Sequence, residues 1–156
     1  MRTLFIQILA LLFTFLYFGA MQATARPLKV ATKGELNSLD PHTLNETFSI
    51  GILGNVMEGL TRRDANLKII PGLATHWAVI SPLRWRFSLR RNVYFHDGSP
   101  FTADDVLFTF KRAAHPDSQM RVRIPRGIKL VRVDDHTVDF ILQRPNPILI
   151  SDWDSL

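Results

Sequence analysis

A chain of 156 residues with 46% hydrophobic and 21% charged side chains is the material of one ordinary globular domain, which excludes an intrinsically disordered segment. Its 19 lysines and arginines against 14 acids give a formal charge of +5, yet no basic run is interleaved with aromatics in a nucleic-acid-binding pattern, so the excess reads as a solvated basic surface. Cysteine is absent, which excludes a disulfide framework, a thiolate nucleophile, a cysteine-based metal site and a lipid-modified cysteine.

The chain opens with a positive Arg2, an apolar run from Leu4 to Ala20 broken only by Gln7 and Thr14 among its more polar members, and Ala23-Thr24-Ala25. A short basic start, an apolar stretch and an A-x-A site predict a secretory signal peptide over residues 1–25, cleaved before Arg26. The competing reading is an uncleaved membrane anchor, since the run approaches the lower length limit of a spanning helix. The A-x-A site and the immediate change to Arg26-Pro27 favour cleavage.

Leu28 to Thr32 is the first predicted strand. It leads into Leu39-Asp40-Pro41-His42, where Pro41 biases Asp40 toward an extended backbone and marks a loop. A mixed set, Thr43, Leu44, Asn45, Glu46 and Thr47, follows. Phe48 to Met57 reads as a helix, with Ile50, Leu53, Val56 and Met57 at helical spacing and Gly59 placed to end it in a left-handed conformation. Thr61 to Asn66 reads as a polar connection and Leu67 to Ile70 as a short strand.

The stretch from Pro71 to Pro116 organises the rest. From Arg84 to Leu89 the residues alternate, with Trp85, Phe87 and Leu89 on one face and Arg84, Arg86 and Ser88 on the other, the period of a half-buried strand. A second strand is predicted over Val93 to Phe95, stopping at the turn-formers His96-Asp97-Gly98-Ser99-Pro100. Thr102 is placed to cap a helix whose first turn carries Asp104 and Asp105, and Ala103, Val106, Leu107, Phe110 and Ala114 share its apolar face.

Between Lys111 and Arg132 seven basic residues stand against the single acid Asp117. This is open to two readings: a patch for an anionic ligand or acidic surface, or a solvated face paired with acids elsewhere in the protein. Ile128 to Val133 and Thr137 to Leu142 form a predicted hairpin across Asp134-Asp135-His136, after which Pro145 and Pro147 end the sheet and Ile148 to Leu156 trails off. The five histidines, His42, His76, His96, His115 and His136, show no metal-binding spacing, and there is neither a nucleophile elbow nor a phosphate-cradling glycine loop. These features describe a binding protein rather than an enzyme, with no cofactor and no metal.

Several of these segments together resemble a known family. Gly72-Leu73-Ala74, Trp77, Phe87-Ser88-Leu89-Arg90, Val93, Phe95-His96-Asp97-Gly98, Pro100, Thr102-Ala103, Asp105-Val106, Phe108 and Arg112 are similar, in type and order, to the signature of the peptide- and nickel-type solute-binding proteins of ABC importers, extracellular solute-binding family 5. Leu39-Asp40-Pro41 resembles that family's SLDP element, Glu58-Gly59-Leu60 its EGL element, and Val133 to Leu142 its strand pair. The resemblance implies a fold that is α/β in class, α+β in detail with a mixed sheet and flanking helices, and that is the N-terminal part of a periplasmic-binding-protein type II-like architecture. Residues 26–48 would supply the first strand and cleft loop of one lobe and residues 49–156 an attached subdomain, the opposing lobe lying outside this chain. It further implies a periplasmic binding component of an importer, with a peptide or similar small solute as ligand, permease subunits in the inner membrane as partners and no nucleic acid. Thr43, Leu44, Asn45, Glu46 and Thr47 would line the ligand cleft. A chain matching only part of the family is expected to be truncated and inactive alone. The reading from charge alone is different: a small exported basic module that binds an acidic partner or a membrane surface.

Overall fold

The computed structural model describes residues 27–31 and 33–153, so the predicted signal peptide lies outside the described residues. The chain divides into two compact units, residues 1–33 and residues 34–156. In the first, residues 28–31 belong to no strand, contrary to expectation. A strand is stable only when its backbone groups pair with a neighbour, and no neighbour for this one exists among the described residues.

In the second unit α1, Thr47–Leu53, is shorter than the sequence predicts. It ends at Gly54, and Asn55 Nδ2 donates to the carbonyls of Gly51 and Ile52 at 2.9 and 3.3 Å, which satisfies backbone acceptors left open at the helix end. Leu53 is buried, whereas Val56 and Met57, expected on the same apolar face, are 64% and 43% exposed. Gly59 therefore caps no helix; its carbonyl accepts from Leu73 N–H at 2.9 Å. It is Gly72 that the fold requires as glycine here, because a Cβ on it would lie 2.5 Å from that same Gly59 oxygen.

The segment expected to be a polar connection contains β1, Thr61–Arg63, paired antiparallel with β2, Ile69–Pro71. The Asp64 carboxylate accepts from the amides of Asn66 and Lys68 at 2.9 Å each, which closes the turn and lets its flanks pair. Next comes β3, Ala74–Ser81, a strand the sequence does not announce: it lies at a sheet edge, mostly exposed and with two irregularities in register, so its residues lack strict alternation. It pairs with β4, Arg84–Leu89, in which Trp85, Phe87 and Leu89 are buried as the alternation predicts.

The predicted strand at Val93 to Phe95 reduces to one bridge between Tyr94 and Pro100. Asp97 closes the turn between them by accepting from Ser99 N–H at 2.9 Å and its hydroxyl at 2.7 Å, with Gly98 at φ +86°. In the following α2, Ala103–Ala113, Thr102 and Asp105 form the capping box, the Thr102 N–H and hydroxyl donating to Asp105 Oδ2 at 2.7 and 3.1 Å. Its buried stripe is Ala103, Val106, Phe110 and Ala113; Ala113 takes the place expected of Ala114. A short 3-10 helix, Gln119–Arg123, leads to β5, Lys129–Asp134, and β6, Thr137–Ile141.

The four-stranded sheet has the order β3-β4-β6-β5. The expected α+β combination of sheet and helix is present, but every neighbour is antiparallel where a mixed sheet is expected, since consecutive strands here are joined through short turns or return antiparallel. Registers Trp85↔Phe140 and Phe87↔Val138 align apolar side chains on one face. There α2 packs, Phe110 meeting Phe140 edge-on with ring centroids 5.0 Å apart. The chain beyond Pro147 does not trail off: a 3-10 turn, Leu149–Asp152, inserts Leu149 and Ile150 into the core and delivers Trp153, 2% exposed. Trp153 lies 4.8 Å from Phe110 and 5.0 Å from Phe140 by ring centroids, and its indole N–H donates to the Arg123 carbonyl at 3.2 Å.

Candidate functional site

The five residues expected to line a cleft follow directly on a tightly tied loop. Pro41 enforces the turn at its start, and the Asp40 Oδ1 accepts from the His42 amide at 2.9 Å. The same carboxylate receives both terminal nitrogens of Arg112, in the last turn of α2, at 2.6 and 2.7 Å. Such a two-pronged guanidinium–carboxylate pair fixes orientation as well as position. The Arg112 guanidinium holds the Asp40 carboxyl well below the usual carboxylate range, outweighing the opposing effect of burial.

His42, 7% exposed, completes this knot. Its Nδ1 lies 2.9 Å from Arg112 Nη1, and its carbonyl accepts from the Gln119 amide at 3.1 Å and the Ser118 hydroxyl at 3.3 Å. Burial first, and the Arg112 charge second, push its imidazole below the ordinary histidine value.

The structure brings Thr43 to Thr47 together as one short segment entering α1. Thr43, Glu46 and Thr47 are exposed, whereas Leu44 and Asn45 are half-buried. Asn45 Oδ1 accepts from Arg123 Nε at 3.0 Å, and Glu46 accepts from Ser49 Oγ at 2.6 Å. Exposed hydroxyls, main-chain groups and one carboxylate on an anchored loop suit hydrogen bonding to an extended polar ligand rather than bond-making. Among the described residues no group of three or more histidines and acids is placed to hold a metal ion.

A separate groove of about 760 Å³ runs between α1 with its following turn and α2 with the 93–96 segment. Leu53, Leu60, Phe101 and Val106 line its apolar floor, and Asp105 and Arg112 reach its wall. Glu58, also at the wall, is ion-paired with Arg90. The groove includes Pro41 and His42 but none of the residues from Thr43 to Thr47, so the expected cleft residues and this groove are adjacent, distinct features.

What sequence reasoning missed here is the knot of Asp40, His42 and Arg112. Each residue is visible in a motif, but the contact joins positions 72 apart in the chain, and no periodicity reports such a contact. An aspartate before proline, which needs a cation to hold an exposed turn, is the signal that would have raised the question.

Residues 68–154 match the family model described as bacterial extracellular solute-binding proteins, family 5 Middle. The periplasmic murein peptide-binding protein MppA of Escherichia coli K12 is 27% identical over 152 residues, 85% of this chain and 28% of that protein. Di/tripeptide-binding protein 2 of Pseudomonas aeruginosa is 30% identical over 166 residues, covering 91% of this chain and 31% of its own length. The crystal structure of NikZ from Campylobacter jejuni in complex with Ni(L-His) superimposes with a TM-score of 0.69 at 28% identity, over 78% of this chain and 25% of that one. The chain thus spans under a third of the length of the curated relatives it matches.

Proposed function

The chain belongs to the bacterial extracellular solute-binding proteins of family 5, and from that premise we propose that it is the N-terminal portion of the periplasmic, peptide-taking component of an ABC importer. Residues 1–25 act as the export signal and residues 26–156 as the start of the binding domain, with 26–48 in one lobe and 49–156 in a subdomain attached to it. Thr43, Leu44, Asn45, Glu46 and Thr47 line the ligand cleft, and permease subunits of the inner membrane receive the loaded protein. The observation that carries this reading is the extent of the likeness: it takes in 85% of the chain against a protein whose name gives it a peptide ligand. It therefore covers the loop as well as the sheet. The basic surface, which alone would favour an acidic partner or a membrane, has part of its charge already committed within the fold: Arg86 to Asp139, Arg90 to Glu58, Arg112 to Asp40 and Arg132 to Asp104 and Asp135.

The test is a chimera in which residues 34–153 replace the matched stretch of the Escherichia coli murein peptide-binding protein. A folded chimera that binds a murein tripeptide in calorimetry is the expected result. A chimera with the circular dichroism and cooperative melting of the parent but no binding of any di-, tri- or oligopeptide would overturn the peptide assignment.

A further inference from the structure

Arg112 donates to three acceptors on one loop: both oxygens of Asp40 and the Nδ1 of His42. A guanidinium has only donors, so Nδ1 must accept, which requires a neutral imidazole carrying its proton on Nε2. A charged imidazolium has a hydrogen on Nδ1, cannot accept there, and would set two cations 2.9 Å apart at a residue 7% exposed. We propose that Arg112 is the positioning residue of the ligand loop, fastening residues 40–47 to α2 through Asp40 and neutral His42, and that protonation of His42 loosens it by breaking the His42–Arg112 contact. The proposal rests on the reading above that this loop lines the cleft.

The groups around His42 single it out as the one that titrates. Asp40 faces it from its own loop and Arg112 from α2, while Ser118 and Gln119 from the following segment carry no charge. Asp40, held ionised by Arg112, keeps its charge throughout the range in which an imidazole changes state. The His42 carbonyl remains tied to Ser118 and Gln119, and Asn45 to Arg123, so loss of the His42 contact loosens the loop without unfolding α2.

The chain has no cysteine, so a single Thr47→Cys substitution carries a nitroxide label at the exposed first residue of α1, where the loop enters the helix. Electron paramagnetic resonance of this labelled chain, without peptide, should show an immobilised component at neutral pH that is lost as pH falls below the ordinary histidine value. Adding Arg112→Ala should remove the component at every pH, with the near-ultraviolet circular dichroism of the core aromatics unchanged. Adding His42→Gln, whose amide oxygen accepts from Arg112 without titrating, should keep the component and abolish its pH dependence. An Arg112→Ala spectrum equal to the parent's, or a pH response that survives His42→Gln, overturns the proposal. If Arg112→Ala fails to fold, the His42→Gln titration decides alone. Because no peptide is present, this result stands apart from the outcome for peptide binding in the chimera.

Discussion

Asp139 lies within a strand whose neighbours Val138 and Phe140 are fully buried, and it is itself only 3% exposed, yet it points to the face opposite theirs. Burial of a carboxylate is unfavourable unless it is paired and hydrogen-bonded, and Arg86 directly across the register supplies both, with Nε and Nη2 at 2.7 and 2.9 Å. Arg84 stands behind it at 4.0 Å. The sequence places Arg86 on a solvated face, which is right for the arginine and incomplete for the site, since its partner is buried. Hydrogen bonding from Arg86 holds the Asp139 carboxyl below its ordinary value despite burial. A group depressed in this way contributes stability above its unfolded value of about 4, and that contribution is lost as pH falls through the lower folded value. Arg86→Ala should therefore lower the melting temperature at neutral pH, with the deficit shrinking below about pH 4 as Asp139 takes up a proton. Trp85→Ala, on the buried face of the same strand, removes a large aromatic at a cost of about 3–5 kcal/mol that does not depend on pH. Melting curves of both variants across that range check the register; equal and pH-independent losses would contradict it.

The elements differ in how openly their sequences declare them. Strand β4 and helix α2 carry their own signatures, strict alternation in one and a capped apolar stripe in the other, and both form as read. The hairpin of β5 and β6 is likewise legible from Asp134-Asp135-His136, where the Asp134 carboxylate accepts from the His136 amide at 2.7 Å. Edge strand β3 and strand β1 were not, because their pairing comes from partners and turn geometry rather than from an apolar period, whereas β2 is read from the sequence as Leu67 to Ile70, starting two residues early. The terminal 3-10 turn is the sharpest case. Leu149, Ile150 and Trp153 show no period long enough to detect, but Trp153 sits against Phe87, Phe110 and Phe140 and closes the space between sheet and α2. Trp153→Ala should cost about 3–5 kcal/mol in urea unfolding, comparable to Trp85→Ala, whereas Trp153→Phe should keep most of the ring contacts and lose chiefly the bond to the Arg123 carbonyl. A loss for Trp153→Ala within the range of ordinary surface substitutions, about 0.5 kcal/mol, would remove this segment from the core. Of the candidate site, the sequence supplied the loop by resemblance and its turn by Pro41. The tie from Asp40 to Arg112 depended on the fold itself.

At the scale of the whole molecule, the loop proposed to line the cleft lies within one compact unit. Gly34–Leu156 forms a single unit, while family members, as the resemblance has it, close two lobes over the ligand, and this chain spans 28% of the murein peptide-binding relative. Beside the loop, Val56, Met57, Tyr94, Phe95 and Phe108 are 43% to 67% exposed around the groove, more apolar surface in one place than isolated solvent-facing side chains need. The loop itself has few free hydrogen-bonding groups, since Asn45 and Glu46 already have partners within the fold. Each net hydrogen bond contributes about 0.5–1.5 kcal/mol. Association must first offset about 4 kcal/mol or more of lost rigid-body freedom. If the loop lines the cleft as proposed, two or three bonds from it leave almost no net affinity, and a second lobe closing over the ligand is what would supply the rest. Residues 26–156 alone should accordingly show no saturable heat of peptide binding at micromolar concentration, and addition of a fragment carrying the family's remaining lobe should restore it. Micromolar binding by residues 26–156 on their own would mean that the loop and groove form a complete pocket, and the two-lobed requirement would fall.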